Sequence, residues 1–268
     1  MKTKSKSVRE RGHHNSPFSI HHSQFHRRFL IILLLLLLLC VSVTAGMLVN
    51  DWLIDRQNTQ DTDRLREMVG APSLPSFSPE DITPPLMDFT AINEVNNEIN
   101  AWLILDDTDI NYPIVQAPDN DYYLTRTAER KKNANGALFL DFRVHADFSD
   151  FNNVIYGHNM KSGKMFGTLV KFKEKEFWDS HATGTLYTPG KTYGLELFAV
   201  AITSHISAYY GYAFVSPSER EAHLQMIKNT AKYYRDVGIT EKDRILALST
   251  CSYEYKNART LVLFKIVN

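Results

Sequence analysis

The stretch "ALSTCSYEYKNARTLVLFKIV", from Ala247 to Val267, contains two apolar runs with a polar segment between them. Runs rich in leucine, isoleucine, valine and threonine are typical of β-strands, and a short polar segment between two such runs is typical of a loop. Cys251 ends the first run, and Arg259 lies at the start of the second. The sequence therefore predicts a strand that ends in a cysteine, a short loop, and a last strand that begins with an arginine.

The cysteine content makes this thiol unusual. The chain has two cysteines: Cys40, in an uncharged segment over residues 29–49, and Cys251. If that segment spans a membrane, the two cannot pair with each other. Exported proteins usually carry cysteines in pairs. A single exported thiol indicates chemistry or an intermolecular bond, although a buried, inert cysteine that packs as a small apolar side chain is an alternative.

Residues 29–49 read "FLIILLLLLLLCVSVTAGMLV" and predict a membrane-spanning helix. Such a helix would be about 31 Å long, which matches the hydrocarbon core of a bilayer. Arg27 and Arg28 precede it, so the positive-inside rule places residues 1–28 in the cytoplasm and the rest of the chain outside. A cleaved signal peptide is the alternative, because "SVTAG" offers a small-residue cleavage site. We favour an uncleaved, single-pass anchor, because the apolar run exceeds a usual signal-peptide core.

The charge is unevenly distributed along the chain. Residues 1–28 carry seven lysines and arginines and one glutamate, a net charge of +6, whereas the whole chain sums to zero. The part after the anchor is therefore mildly acidic. Nucleic-acid-binding domains usually present a basic face, so we predict no nucleic-acid partner.

The exported part divides into a spacer and a folded domain. Residues 50–88 predict a polar helix followed by an extended spacer, because residues 70–86 contain five prolines. Residues 89–268 contain β-type runs at short intervals, which predict a mainly β domain built as a barrel or a sandwich. These runs are "WLILDDTDINYPIVQAP", "GALFLDF", "NNVIYGHN", "GTLYTP", "GLELFAVAIT", "ILALST" and "TLVLFKIV".

One long helix is predicted within the β region, over about 217–236. Ser216 is a suitable N-cap, Pro217 suits the first turn, and Glu219 completes a capping box. Gly238 is a plausible C-terminal stop. The apolar stripe of this helix would consist of Leu224, Ile227, Ala231 and Tyr234.

Histidines are the candidate partners of a cysteine nucleophile, which needs a base or a cationic group close to its thiol. His158 has the most suggestive position, because it follows a β-type run at the Gly-His-Asn break in "NNVIYGHNMKSG". We expect His223 to lie on the surface of the long helix, and His181 and His205 to lie at edges or in loops. Arg259 could be a surface residue or a permanently charged donor for a substrate oxygen.

Together these motifs resemble the sortases, cysteine transpeptidases that attach surface proteins to the cell wall of Gram-positive bacteria. "LSTC" carries the family's Thr-Cys pair, "NARTLV" its arginine, and "NNVIYGHNM" its histidine. "WLILDDTDINYPIVQAPDNDYYL", "NANGALFLDFR" and "YGHNMKSGKMFGTL" are similar to class B sortases in order and spacing. The resemblance covers about residues 89–268. It implies a closed eight-stranded β-barrel with N-terminal helices and a long helix between strands six and seven.

Class B is favoured over class C, the pilin polymerases, by two features. Class C enzymes usually carry a lid with an Asp-Pro-aromatic motif, which this chain lacks, and often a C-terminal membrane span, whereas this chain stops at Asn268. We could place no match to the acidic cluster that binds calcium in some class A enzymes. We therefore assign no metal and no cofactor.

The resemblance also implies roles for residues. Cys251 would be the nucleophile, His158 the acid/base, and Arg259 the group that stabilises the oxyanion. Ser249, Thr250 and Tyr156 would support the site or line the substrate groove. The substrates would be surface proteins with a C-terminal sorting signal, cleaved after a threonine, and the amine of a lipid-linked peptidoglycan precursor. Loops around residues 204–216 and the helix after them would form the substrate pocket.

Three other functions are compatible with the same residues. A membrane-anchored cysteine protease would share the cysteine and histidine but transfer the acyl group to water. A degenerate barrel would bind peptides without reacting. A pilin-polymerising sortase would use a lysine side chain of another pilin as the acceptor.

Overall fold

The computed structural model describes residues 18–71 and 87–268, with side chains from residue 26 onward. The chain divides into two compact units, Met1–Leu53 and Ile54–Asn268. Residues 72–86, which include most of the predicted proline-rich spacer, lie outside the described residues, as does most of the predicted basic tail.

The first helix, α1, runs from Phe18 to Val69. Its apolar part is long and apolar enough to cross a membrane, and the leucines at 33–39 are each more than half exposed. By length and composition, α1 is therefore a candidate membrane span.

The second unit is a β-barrel. Its strands are β1 (Ile99–Leu105), β2 (Asn111–Val115), β3 (Leu138–Leu140), β4 (Asn152–Tyr156), β5 (Thr183–Thr188), β6 (Lys191–Ser204), β7 (Tyr233–Tyr234), β8 (Arg244–Cys251) and β9 (Ala258–Val267). Three short α-helices accompany them: α2 (Thr90–Val95), α3 (Lys175–Ser180) and α4 (Pro217–Thr230). Single 3₁₀ segments lie at Tyr122–Thr125, Gly167–Lys173 and Ala208–Tyr210.

The strands close into a ring in the order β5-β1-β2-β3-β4-β8-β9-β6, with β5 paired to β6 and the two-residue β7 added beside β6. Closure leaves no long unpaired edge. Two of the pairs, β2–β3 and β4–β8, are parallel, and the others are antiparallel. The predicted eight-stranded barrel is therefore confirmed, and so is the position of the helix between barrel strands six and seven.

Alternating residues of the last strands pack into two different cores. Leu246 and Leu248 lie in the barrel interior, whereas Ile245 and Ala247 pack on the outer face beneath α4, with Ile227. Side chains of a strand alternate between its two faces, so a strand covered on both faces reads as a continuous apolar run. This is why "ILAL", residues 245–248 of β8, is apolar at every position.

The helix α4 begins as predicted but ends early. Ser216 accepts from the Glu219 N–H, and the Glu219 side chain accepts from the Ser216 N–H, which completes the capping box. The helix ends at Thr230 and not near 236, because Tyr233 and Tyr234 pair with β6. Pairing to an existing sheet outweighs the helical periodicity that predicted a longer helix. Gly238 has a left-handed φ of 60°, but it lies beyond β7 and not at the end of the helix.

The prediction that His223 lies on the surface is wrong. Its side chain is 6% exposed and packs against the rings of Phe214 and Phe151, at centroid distances of 4.7 and 6.0 Å. This burial lowers the pKa of His223 to about 4. Phe214, in the loop before α4, packs on His223. The apolar stripe predicted for this helix did not include His223, so nothing in the sequence indicated that it would be covered.

The end of α1 that belongs to the second unit packs on the barrel. Leu65 and Val69 are buried in one apolar cluster with Ile92 and Trp102. Residues 54–69, predicted as a polar helix, therefore fold together with the barrel.

Candidate active site

Cys251 and Arg259 face each other across a strand pair. They are direct partners in the antiparallel register of β8 and β9, at the end of the pair where the connecting loop begins. Directly opposite residues of an antiparallel pair have Cβ atoms roughly 5 Å apart. The Cys251 thiol is free and half-buried. The strand register alone thus brings the thiol and the guanidinium together.

His158 reaches the same place from β4, which runs parallel to β8. Beyond the last paired residues, the Gly157 N–H donates to the Ser249 carbonyl at 3.1 Å, and Thr250 Oγ1 donates to the Gly157 carbonyl at 2.9 Å. One residue further, Asn159 Nδ2 donates to the Cys251 carbonyl at 2.8 Å. His158 lies between these contacts, so the two backbones stay together up to the cysteine.

One ring nitrogen of His158 is engaged by a backbone group. Nε2 lies 2.8 Å from the Leu124 carbonyl oxygen. A carbonyl oxygen can only accept, so Nε2 carries a proton. In the neutral ring the basic nitrogen is then Nδ1, which makes no hydrogen bond to any residue in the described part of the chain.

All six residues that the sequence predicted for the site line one cavity of about 560 Å³. They are Tyr156, His158, Ser249, Thr250, Cys251 and Arg259. The expected loop around 204–216 contributes His205 and Tyr210, but none of the described residues that line the cavity lies on α4. The helix following that loop therefore covers the barrel and does not form the wall of this cavity.

Arg259 holds an uncompensated charge in this cavity. Its Nη1 donates to the Ala258 carbonyl at 3.1 Å, and it forms no ion pair with any carboxylate of the described residues. A guanidinium keeps its charge throughout the accessible pH range. It can therefore stabilise a negative oxygen that develops next to Cys251.

Tyr210 is a cavity residue that the sequence did not single out. Its hydroxyl lies 2.9 Å from Ser249 Oγ, and its ring stacks on that of Tyr156 at 6.1 Å. Burial raises the pKa of Tyr210 to about 12, so it stays a neutral hydroxyl. These two contacts hold Tyr210 in the lining of the cavity that contains Cys251.

An ion pair with a buried carboxylate holds Tyr156 in the cavity lining. Arg143 donates to both carboxylate oxygens of Asp141, at 2.8 and 2.6 Å, and Tyr156 Oη donates to Asp141 Oδ2 at 2.8 Å. Burial opposes ionisation of Asp141, but the hydrogen bonds from Arg143 and Tyr156 and the charge of Arg143 together outweigh it and hold the pKa of the carboxyl below its ordinary value. Tyr156 is therefore held by a charged acceptor, a role that its position beside His158 in the sequence did not reveal.

Among the described residues, no group of three or more His, Cys, Asp or Glu side chains is arranged to hold a metal ion.

Comparisons with known proteins agree with this architecture. The family model described as the sortase domain matches residues 103–267. Sortase B of Listeria monocytogenes is 38% identical over 178 residues, which cover 66% of this chain and 72% of that protein. Sortase B of Staphylococcus aureus is 28% identical over 243 residues, 90% of this chain and 98% of that protein.

Among solved structures, sortase B from Bacillus anthracis in complex with AAEK1 superposes with a TM-score of 0.70 at 32% identity, covering 81% of this chain and 99% of that chain. The chain belongs to the sortase family of cysteine transpeptidases, and its relatives place it in class B.

Proposed function

We propose that Cys251, His158 and Arg259 together transfer a surface protein from its C-terminal sorting signal to the amine of a lipid-linked peptidoglycan precursor. The observation that carries this proposal is their convergence on one cavity: the β8–β9 register pairs Cys251 with Arg259, and the β4–β8 contacts bring His158 to the same end.

In the first half-reaction, the Cys251 thiolate attacks the carbonyl carbon of the threonine in the sorting signal. The C–S bond forms, and the carbonyl oxygen becomes an oxyanion that the Arg259 guanidinium stabilises. Protonated His158 gives its proton to the leaving amine as the C–N bond breaks. The products are a thioester on Cys251 and the released C-terminal peptide.

In the second half-reaction, the acceptor amine attacks the thioester carbonyl. Neutral His158 takes the proton of the attacking amine, and Arg259 stabilises the second oxyanion. The C–S bond then breaks, which regenerates Cys251 and leaves a new amide. Because Nε2 is engaged by the Leu124 carbonyl, Nδ1 is the nitrogen to which we attribute both proton transfers.

The proposed layout places both substrates near the enzyme. Residues 1–28 would be cytoplasmic, 29–49 would anchor the chain, and 50–88 would lead to the extracellular catalytic domain at 89–268. The exposed apolar surface of α1 supports the anchor. Anchoring in the leaflet that holds the tethered surface protein and the lipid-linked precursor raises the effective concentration of both.

The test is product analysis. The chain without residues 1–49 would be incubated with peptides of Asn-Pro-x-Thr and Pro-x-Thr-Gly type, with and without a glycine-type or diaminopimelate-type amine, and read by mass spectrometry. Cleavage after threonine with a new amide, absent in Cys251→Ala, supports the proposal. Transfer to water whatever amine is present would favour a protease. A parallel reaction supplied with a lysine-containing pilin peptide tests the pilin polymerase, which would transfer only to that lysine.

A further inference from the structure

The orientation of His158 depends on a backbone carbonyl rather than on a side chain. Its Nε2 donates to the oxygen of Leu124, which lies in the 3₁₀ turn Tyr122–Thr125. In many acid/base sites a carboxylate holds the second imidazole nitrogen. Here the position of the imidazole follows from whatever holds that turn in place.

The turn is held by the segment 133–137. The Asn133 N–H donates to the Thr125 carbonyl and the Ala137 N–H to the Tyr123 carbonyl, both at 3.0 Å. Between them, Gly136 approaches so closely that a Cβ there would lie 2.5 Å from the Tyr123 oxygen and 2.8 Å from the Leu124 oxygen. A shift of this segment would therefore move the Leu124 carbonyl.

The segment 133–137 is held in turn by the first residues of α1 that belong to the barrel unit. Asn58 Nδ2 donates to the Gly136 carbonyl at 3.0 Å, and Asn135 Nδ2 donates to Asp55 Oδ1 at 2.6 Å. Asn133 Nδ2 adds a contact to the carbonyl of Ile54 at 3.1 Å. Asn58 and Asn135 are 6% and 2% exposed, so water does not easily replace these bonds.

The same helix also reaches the loop that follows His158. Lys164 Nζ donates to Thr59 Oγ1 at 2.7 Å. That loop is closed by a hydrogen bond from the Phe166 N–H to the carbonyl of His158, at 3.0 Å. Residues 54–59 therefore hold the histidine from two sides, through separate contacts.

We propose that residues 54–59 of α1 position the imidazole of His158, with Asn58 and Thr59 as positioning residues for the proton transfers. Asn58 fixes the Leu124 carbonyl through Gly136. That carbonyl keeps the proton on Nε2, so that Nδ1 remains the basic nitrogen. Thr59 fixes the loop on the other side through Lys164. The inference rests on the proposed acid/base role of His158. It makes the helical segment next to the anchor a part of the catalytic machinery.

The experiment compares three variants of the chain without residues 1–49. Asn58→Leu keeps the side-chain volume but removes the donor to Gly136. Thr59→Val removes the shorter of the two hydrogen bonds that Lys164 donates, the other going to the Asp55 carbonyl at 3.4 Å. The matched control is Arg66→Met, because Arg66 Nη2 also joins α1 to the barrel but donates to the Asn111 carbonyl of β2, at 3.2 Å. For each variant we would measure kcat, KM, the midpoint of thermal unfolding, and the His158 tautomer from imidazole ¹⁵N shifts without substrate.

We expect kcat to fall at least tenfold in Asn58→Leu and about threefold in Thr59→Val, with KM within twofold and a growing population of the Nδ1–H tautomer. Arg66→Met should lose stability but keep kcat and the tautomer. The proposal is overturned if all three variants keep kcat and the Nε2–H tautomer, or if kcat falls in all three in proportion to lost stability. If Asn58→Leu does not fold, Thr59→Val decides by the same criteria. The tautomer is measured without substrate. If His158→Ala proves active, the acid/base role of His158 is wrong, but the tautomer measurement still tests whether residues 54–59 orient its imidazole.

Discussion

The two halves of the site are held by different kinds of structure. Cys251 and Arg259 are placed by the hydrogen-bonded register of β8 and β9, which is fixed along eight residue pairs. His158 lies beyond the end of β4, and its ring is oriented by the Leu124 carbonyl and, behind it, by contacts from α1. Substitutions of Cys251 and Arg259, the cysteine half, should therefore act through chemistry with little loss of stability. The histidine half, His158 and the contacts that orient its ring, should also respond to changes far from the cavity.

The largest effect is expected in the cysteine half. Cys251→Ala removes the proposed nucleophile without disturbing the strand, so transpeptidation should fall below detection while the thermal midpoint stays within a few degrees. Peptide cleavage followed by chromatography measures the activity. Cys251→Ser is the matched control for side-chain size. Undiminished transfer by the alanine variant would refute the role given to this thiol.

Arg259→Ala should lower kcat by about 10²–10³-fold, the usual cost of losing an oxyanion donor. Among the described residues its guanidinium donates a hydrogen bond only to the neighbouring Ala258 carbonyl, so the barrel should keep its stability. Steady-state kinetics and thermal unfolding separate the two effects. A loss of stability with little loss of kcat would mean that this arginine is structural.

In the histidine half, Gly136→Ala should affect both folding and rate. The residue has a φ of 61°, and an added Cβ would clash with two backbone oxygens, so we expect a loss of roughly 2–4 kcal/mol in unfolding free energy together with a lower kcat. Gly190→Ala is the control, because Gly190 has a φ of 81° but open space around it. It should cost about 1 kcal/mol and leave kcat unchanged. Equal losses in the two variants would contradict the close contact at Leu124.

Acid should weaken the packing of α4, which carries His223, on the outer face of β8. The folded-state pKa of His223, about 4, is below the ordinary value of 6.5. The unfolded state therefore binds a proton that the folded state excludes, and stability is lost as the pH falls from about 6.5 to about 4. The loss should approach roughly 3 kcal/mol, from the size of the shift. Denaturant unfolding at several pH values measures it, and His223→Leu should remove most of this pH dependence. A wild-type stability that is flat over this range would contradict the buried, neutral histidine.

The smallest effect is expected at Ser249. Ser249→Ala removes the hydroxyl that meets Tyr210 and leaves a buried phenol without that partner, which costs about 1–2 kcal/mol. We expect a lower thermal midpoint and a change of kcat of less than tenfold. Tyr210→Phe is the partner variant, and the double variant should lose less than the sum of the two single changes. Additive losses would show that the two hydroxyls do not interact.

The sequence could predict the features that depend on neighbouring residues, but not those that depend on contacts between distant parts of the chain. Short runs of β-forming residues and a Cys–loop–Arg pattern are local, so the barrel strands and the positions of Cys251 and Arg259 in the last two strands could be predicted from the sequence. The capping box of α4 was local too. The end of α4 was not, because it depends on pairing between β7 and β6. Nor was the burial of His223, which depends on Phe151 and Phe214 from other elements.

The contacts that orient His158 were also invisible in the sequence. The acceptor at Leu124 is a backbone carbonyl, which every residue type has, so no side-chain signal marks it. The asparagines in "KKNANGALFLDF" indicate only that this segment makes hydrogen bonds, because buried asparagines usually bond to backbone groups. Their partners on α1 lie about 80 residues away in the chain, and only the fold brings them together.

The central claim is that Cys251 carries the acyl group between two substrates. Intact-protein mass spectrometry of the enzyme mixed with a sorting peptide, followed by peptide mapping, tests it most directly. We predict an adduct with the mass of the N-terminal peptide fragment on Cys251, which disappears when an acceptor amine is added and yields the amide product. Cleaved peptide without any adduct on Cys251, or an adduct that the amine does not consume, would contradict the account.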